Sequence, residues 1–174
     1  NYDVFDEMRH FRPAEQNEPV ELDGFRLGLT ICEDAWNDPH FWPRQMYDHD
    51  PFSELVSRGV DLVVNLSASP FAGGKQNLRR EMLGALARRH AVPVAYTNLV
   101  GGNDQLIFPG RSIFFDSGGR IVAEGASFKE DMVLVDLDAH GLGHPPTPHP
   151  EEEVWQALVL GLQPGFGSDA DGQP

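Results

Sequence analysis

Three short apolar runs each stop abruptly in small polar or reactive residues, and this pattern limits the fold more than any other. Residues 25–32 alternate, with apolar side chains at Phe25, Leu27, Leu29 and Ile31, and run into Cys32-Glu33-Asp34. Residues 60–66 are β-branched and lead into Asn65-Leu66-Ser67-Ala68-Ser69, closed by Pro70. Residues 92–97 end in Thr97 and Asn98. Runs this short suit strands, and the second and third read as buried ones. Between them, 52–58 reads as a short helix stopped by Gly59. Residues 75–90 read as a longer one, with Leu78, Met82, Ala85 and Leu86 on one face. The alternation strand, helix, strand, helix, strand predicts an α/β fold with a layered sheet. Open α/β sheets place their sites at the carboxyl ends of strands, so the three endings would line one polar crevice holding a thiol. The plainer alternative is that Asn and Ser only turn the chain there.

The flanking segments differ in character. Residues 1–19 read as irregular, 20–23 as a short strand and Gly24 as a turn. The stretch 35–51 is aromatic and interrupted by prolines. Residues 111–116 and 120–124 flank Asp116-Ser117-Gly118-Gly119, a hairpin signal. Gly73-Gly74 and Gly101-Gly102 also read as turns. Residues 130–138 alternate and read as a further strand. Residues 139–150 carry four prolines and three histidines and read as a linker. A helix is expected over 151–162, with acids in its first turn where the helix dipole favours them. The Gly-, Pro- and Asp-rich residues 163–174 read as a disordered tail. The organisation expected is one domain over 1–138, a linker and helix over 139–162, and the tail.

Charge narrows the partners. The chain has 174 residues with 13 Lys plus Arg against 27 Asp plus Glu, a formal net charge of −14. A field of that sign repels phosphate backbones, so nucleic acid and anionic membranes are not expected partners. No apolar run approaches the roughly 18 residues of a membrane span. One cysteine excludes an internal disulfide framework and fits a reducing, cytoplasmic setting. His140, His144 and His149 straddle prolines, so no helix holds them on one face, and no metal site is expected. The phosphate-cradling pattern G-x-x-x-x-G-K-[ST] does not occur.

Two residues stand out chemically. Cys32 is either a small buried hydrophobe or a nucleophile, and as a nucleophile it needs a cation or base nearby. Glu33 and Asp34 would raise its pKa, and no histidine is close to it on a strand. Lysines are scarce, only Lys75 and Lys129. Lys75 opens the helix after the second strand, near the predicted crevice; its plain reading is a solvated helix-start residue.

Four motifs in order carry a resemblance. They are Asn1-Tyr2-Asp3-Val4-Phe5-Asp6-Glu7, Ile31-Cys32-Glu33-Asp34-Ala35-Trp36, Asn65-Leu66-Ser67-Ala68-Ser69-Pro70-Phe71 with Gly74-Lys75, and Tyr96-Thr97-Asn98-Leu99-Val100-Gly101-Gly102 followed by Asp104. Together they resemble the glutaminase domains of glutamine-dependent NAD synthetases, within the nitrilase, or carbon–nitrogen hydrolase, superfamily. The resemblance spans about residues 1–162.

The resemblance implies a nitrilase-like four-layer α-β-β-α sandwich, of which this chain would supply the C-terminal part. It implies Cys32 as nucleophile, Glu7 as a supporting glutamate and the Glu33 backbone N–H as an oxyanion donor. Tyr2, Ser69 and Lys75 fall on positions that bind L-glutamine. The family's general-base glutamate and catalytic lysine precede the position of Asn1, so the chain alone is expected to be inactive and marginally folded. No cofactor is implied for this domain; ATP and Mg²⁺ belong to a synthetase domain, the expected partner in the same parent chain, whose S-G-G-x-D-S signature is absent here. A homo-oligomer is also implied. Two alternatives are another nitrilase-superfamily amidohydrolase and a non-catalytic binding or assembly remnant.

Overall fold

Phe25–Ile31 (β2), Leu62–Ser67 (β3) and Val94–Asn98 (β4) lie side by side as parallel strands, so their carboxyl ends share one edge of the sheet. This computed structural model describes residues 10–12, 14–43, 49–137 and 149–162. Antiparallel strands flank the trio: β1 (Val20–Leu22) on one side, then Ile113–Phe115 (β7) and Ile121–Glu124 (β8) on the other. The order is β1-β2-β3-β4-β7-β8. The parallel links need crossovers, supplied by helices α1 (Pro51–Ser57) and α2 (Lys75–His90). Val100–Asn103 (β5) and Leu106–Pro109 (β6) form a separate hairpin, against which α3 (Pro150–Leu162) packs.

Local chemistry explains the boundaries. The Asp50 carboxylate accepts the N–H groups of Phe52 and Ser53 at 3.0 and 3.2 Å, capping α1, with Pro51 in the first turn. Such a cap contributes about 1 kcal/mol. The β7–β8 hairpin turns as its sequence suggests, with the Asp116 carboxylate accepting the Gly118 and Arg120 N–H groups, each at 2.9 Å. Gly119 is required there: its φ is +76°, and a Cβ would stand 2.1 Å from the Gly84 carbonyl oxygen.

The main core lies on one face of the sheet, and on the other face Phe114 of β7 is also buried. Val63, Val94 and Tyr96 point toward α2, which contributes Met82, Leu83, Leu86 and Ala87, while α1 contributes Phe52. The opposite face carries Val20, Leu22, Phe25, Leu29, Ile31 and Leu66, all exposed, with Ile31 at 69%. The second and third strands are therefore buried on one side, not both. The described residues build a helix layer on the six-stranded sheet, with the β5–β6 hairpin and α3 as a second, smaller sheet-and-helix pair, a partial nitrilase-like domain.

Three further expectations need correction. Residues 130–137 form no strand; Met132 and Leu134 are 85% and 90% exposed, and among the described residues no strand lies beside them to complete a ladder. Gly101 and Gly102 are not a turn but lie inside β5, opposite Phe108 and Ile107, and a Cβ on Gly102 would meet the Ile107 side chain at 3.5 Å. Along α2 the buried face includes Gln76 and Arg79, while Leu78 and Ala85 are half-buried. Residues 138–148 and 163–174, which hold most of the linker and the tail, fall outside the described residues.

Charged groups fasten the far side. The Glu124 carboxylate, with no side-chain exposure, pairs with Arg80 at 2.7 Å and Arg111 at 3.5 Å. Arg111 also reaches Glu153 of α3 at 2.6 Å. Burying a carboxylate is costly unless such partners surround it.

The open apolar face leads to a measurable expectation. The isolated chain should self-associate at micromolar concentration, and Ile31→Ser with Leu66→Ser should shift it toward monomer in sedimentation velocity. A monodisperse wild-type monomer with a sharp cooperative melt would count against an uncovered face.

Candidate active site

The strand-end crevice begins at a backbone constraint. Cys32 follows β2 directly and opens a 3-10 turn, Cys32–Trp36, with φ +43°. A non-glycine residue in the left-handed region is uncommon and costs energy, so neighbouring groups must hold it. The Cys32 carbonyl accepts the Asn65 side-chain amide at 3.3 Å. The same amide nitrogen donates to Thr30 Oγ1 at 3.0 Å, and Asn65 Oδ1 accepts the Ser67 hydroxyl at 2.8 Å. On the other side of the turn, the Asp34 carboxylate accepts the Ile31 N–H at 2.8 Å. Burial pushes the Asp34 pKa up, the bond from Ile31 pulls it back, and the Glu33 charge adds to the rise. The turn leaves the thiol half-buried at the edge where the parallel strands end.

Lys75 comes to this edge from the first residue of α2. Its Nζ stands 5.6 Å from the centre of the Trp36 ring, a cation–π contact that ties the helix start to the turn after Cys32. Partial burial lowers the Lys75 pKa, and the Arg79 charge lowers it further; the Cys32 and Glu33 charges act in the opposite direction. The Lys75 ammonium thus lies where the charges of Cys32 and Glu33 act on it. Trp36 stacks on Trp42 with ring centres 5.9 Å apart, which gives the irregular aromatic stretch a packing role.

Ser69 sits on the loop between β3 and α2 and is completely buried. Its N–H donates to Asn98 Oδ1 at 2.8 Å, and its carbonyl accepts Asn98 Nδ2 at 3.3 Å. Its hydroxyl accepts the Arg79 guanidinium at 3.0 Å. Arg79 also lies 5.1 Å from the centre of the Tyr96 ring. Burial pushes the Tyr96 hydroxyl up to about 12, with Arg79 and two serine hydroxyls working against it. A narrow crevice lined by Phe71, Lys75, Arg79, Arg111, Phe128 and Glu153 continues from this point.

Cys32, Glu33 and Ser69 therefore occupy the turn and loop that follow adjacent parallel strands, and Lys75 opens the helix directly after that loop. Glu33 is buried, at 7% exposure. Tyr2 and Glu7 lie outside the described residues. The sequence reading passed over Arg79 and the amide role of Asn65. Arg79 falls three residues before Met82 and four before Leu83, on the buried face of α2, and that spacing is the signal that could have identified it. Among the described residues no cluster of histidine, cysteine or acidic side chains could hold a metal ion, and no helix is long and apolar enough to cross a membrane.

Comparison with known proteins bears on this arrangement. The family model for carbon–nitrogen hydrolases matches residues 2–144. A glutamine-dependent NAD(+) synthetase of Synechocystis sp. is 44% identical over 167 residues, covering 92% of this chain and 30% of that protein. A solved glutamine-dependent NAD+ synthetase from Acinetobacter baumannii, in complex with ADP, superposes with a TM-score of 0.79 at 33% identity, over 92% of this chain and 30% of that one. An amidase mutant from Nesterenkonia sp. AN1, carrying the acetamide moiety of fluoroacetamide on its active-site cysteine, superposes with a TM-score of 0.54 at 26% identity, over 67% of this chain and 40% of that one. The chain spans about three-tenths of the length of the synthetases.

Two outcomes follow from the geometry. Asn65→Ala should cost about 1–3 kcal/mol in urea unfolding, because the buried Thr30 hydroxyl and the half-buried Ser67 hydroxyl lose a partner. Lys75→Met should leave the melting temperature unchanged or raise it. The lowered Lys75 pKa means that the folded chain binds that proton less tightly than the unfolded chain. The stability cost is therefore present at neutral pH and fades as pH rises through the lowered pKa toward 10.5. A clear loss of stability in Lys75→Met, by calorimetry at pH 7, would count against the ammonium being strained there.

Proposed function

This chain belongs to the carbon–nitrogen hydrolase family, and from that premise we propose that it is the glutamine-hydrolysing portion of a glutamine-dependent NAD synthetase. The observation that carries the reading is a half-buried Cys32 on a positive-φ turn at the ends of the parallel strands, with the Lys75 ammonium set over Trp36 of the same turn. The Cys32 thiolate attacks the side-chain carboxamide carbon of L-glutamine and forms a C–S bond. The Glu33 N–H and the lysine that the resemblance places ahead of Asn1 hold the resulting oxyanion. The intermediate collapses, the C–N bond breaks, and nitrogen leaves as ammonia with a proton delivered by the general base. Water, deprotonated by that same glutamate, attacks the thioester; the C–S bond breaks, releasing glutamate and restoring the thiol.

Substrate selection falls to the loop before α2. Lys75 pairs with the substrate carboxylate, with Tyr2 and Ser69 completing the pocket and Glu7 supporting the catalytic set. The complete burial of Ser69 means that it reaches substrate only if its loop opens; otherwise it acts by holding the loop. The ammonia is used to amidate nicotinic acid adenine dinucleotide to NAD, in the part of the relatives' length that this chain does not span. ATP and Mg²⁺ act there, and this portion needs no cofactor of its own. A homo-oligomer in the cytoplasm completes the reading. Hydrolysis of a simple amide is a second reading, favoured by the likeness to the Nesterenkonia amidase; the ammonium of Lys75 favours a substrate that carries a carboxylate.

The test uses the chain together with the flanking lengths its relatives carry. Glutamine should release ammonia, and hydroxylamine should trap the thioester as a hydroxamate. Cys32→Ala should lower ammonia release by about a thousandfold or more. Residues 1–174 alone should release none that depends on Cys32. Full ammonia release from the Cys32→Ala enzyme would overturn the reading, and a preference for acetamide over glutamine would move it to the simple amides.

A further inference from the structure

We infer that Arg79 is a positioning residue for the proposed reaction, clasping the loop between β3 and α2 so that Lys75 stands beside the Cys32 turn. The inference rests on the reading of Lys75 as ligand for the substrate carboxylate.

Lys75 is poorly placed by its own neighbourhood. It occupies the first turn of α2, where the helix dipole disfavours a cation. Gly74, the residue before it, has φ +76° and supplies no side-chain cap, and the first turn holds no acid. Arg79, one turn further along, adds a like charge that weakens the protonated form of Lys75. A position disfavoured by local rules persists only if something further away holds it.

The Arg79 side chain spans the loop that ends at Lys75. It is 1% exposed and donates through separate nitrogens to the Ser69 hydroxyl, at 3.0 Å, and to Gln76 Oε1. Ser69 begins the loop and Gln76 follows Lys75, so one planar guanidinium ties the loop's start to its finish. Both ends are also fixed from outside: Asn98 of β4 brackets the Ser69 backbone, and Gln76 donates to Glu124 of β8 at 3.2 Å. The Tyr96 ring supports the guanidinium from the sheet side. A lysine at this position would keep the charge but could not supply two fixed donors in one plane. Position, not charge, is what Arg79 gives to the site.

The experiment is a double-mutant cycle between Arg79→Lys and Lys75→Met in the glutamine-hydrolysing enzyme with its flanking lengths. Arg79→Lys should raise the KM for glutamine by about tenfold with kcat within about threefold of wild type. Lys75→Met should raise KM by a similar or larger factor. If Arg79 acts through Lys75, adding Arg79→Lys to Lys75→Met should change KM by less than about twofold. An unchanged KM in Arg79→Lys, a fall in kcat and melting temperature without a KM shift, or a multiplicative rise of about a hundredfold in the double variant would each overturn the inference. Should Arg79→Lys not accumulate folded, Gln76→Ala cuts the other end of the clasp and is read in the same cycle. An enzyme that does not hydrolyse glutamine at all fails the underlying reading and takes the inference with it. A hydrolysing enzyme without the KM coupling fails the inference alone.

Discussion

The buried amide of Asn65 is the interaction on which the crevice depends. It sits on the middle strand of the parallel trio, and its two ends serve different neighbours. The nitrogen reaches Thr30 and the Cys32 carbonyl on β2 and the turn beyond it; the oxygen accepts from Ser67 on its own strand. The Asn65 backbone carbonyl in turn accepts the Thr97 hydroxyl of β4 at 3.3 Å. One residue thereby links three strand ends at the level where the sheet stops. A hydrophobic residue would pack there as well, but would leave the strained Cys32 turn without its carbonyl partner.

Strand order then determines which residues can meet. Parallel pairing of β2 with β3, and of β3 with β4, brings Ile31 level with Leu66 and Ser67 level with Asn98. The segments that follow, 32–36 and 68–74, leave from the same edge and must share the space above it. The alternating and β-branched runs made this arrangement legible before any coordinates, because strand length and the abrupt polar endings are local properties. The helix from Lys75 to His90 was legible for the same reason, and the β7–β8 turn because Asp and Gly there have one favoured geometry.

Other features depended on partners distant in sequence. Residues 130–137 alternate as a strand should, yet alternation supplies no neighbour for the ladder. Gly101 and Gly102 read as a turn because glycine usually breaks structure; pairing with Phe108 and Ile107 across the hairpin reverses that preference. Arg79 carries no local signal of its partners, and only the tertiary fold brings Ser69, Gln76 and Tyr96 around it. These misses share one cause: local preference yielded to contacts that pair residues far apart in the chain.

Charge placement follows a corresponding division. The chain is strongly acidic, yet its buried cations gather on one flank of the sheet, where Arg80 and Arg111 meet Glu124, and Arg111 continues to Glu153 on α3. That flank gains rigidity from paired charges in a low-dielectric setting. Lys75 lies close to the same network through its neighbour Gln76, which donates to Glu124. Burial lowers the Lys75 pKa, and the Arg79 charge lowers it further. The paired cations behind it hold the frame, so the strained cation in front can remain in place without unfolding the helix that carries it.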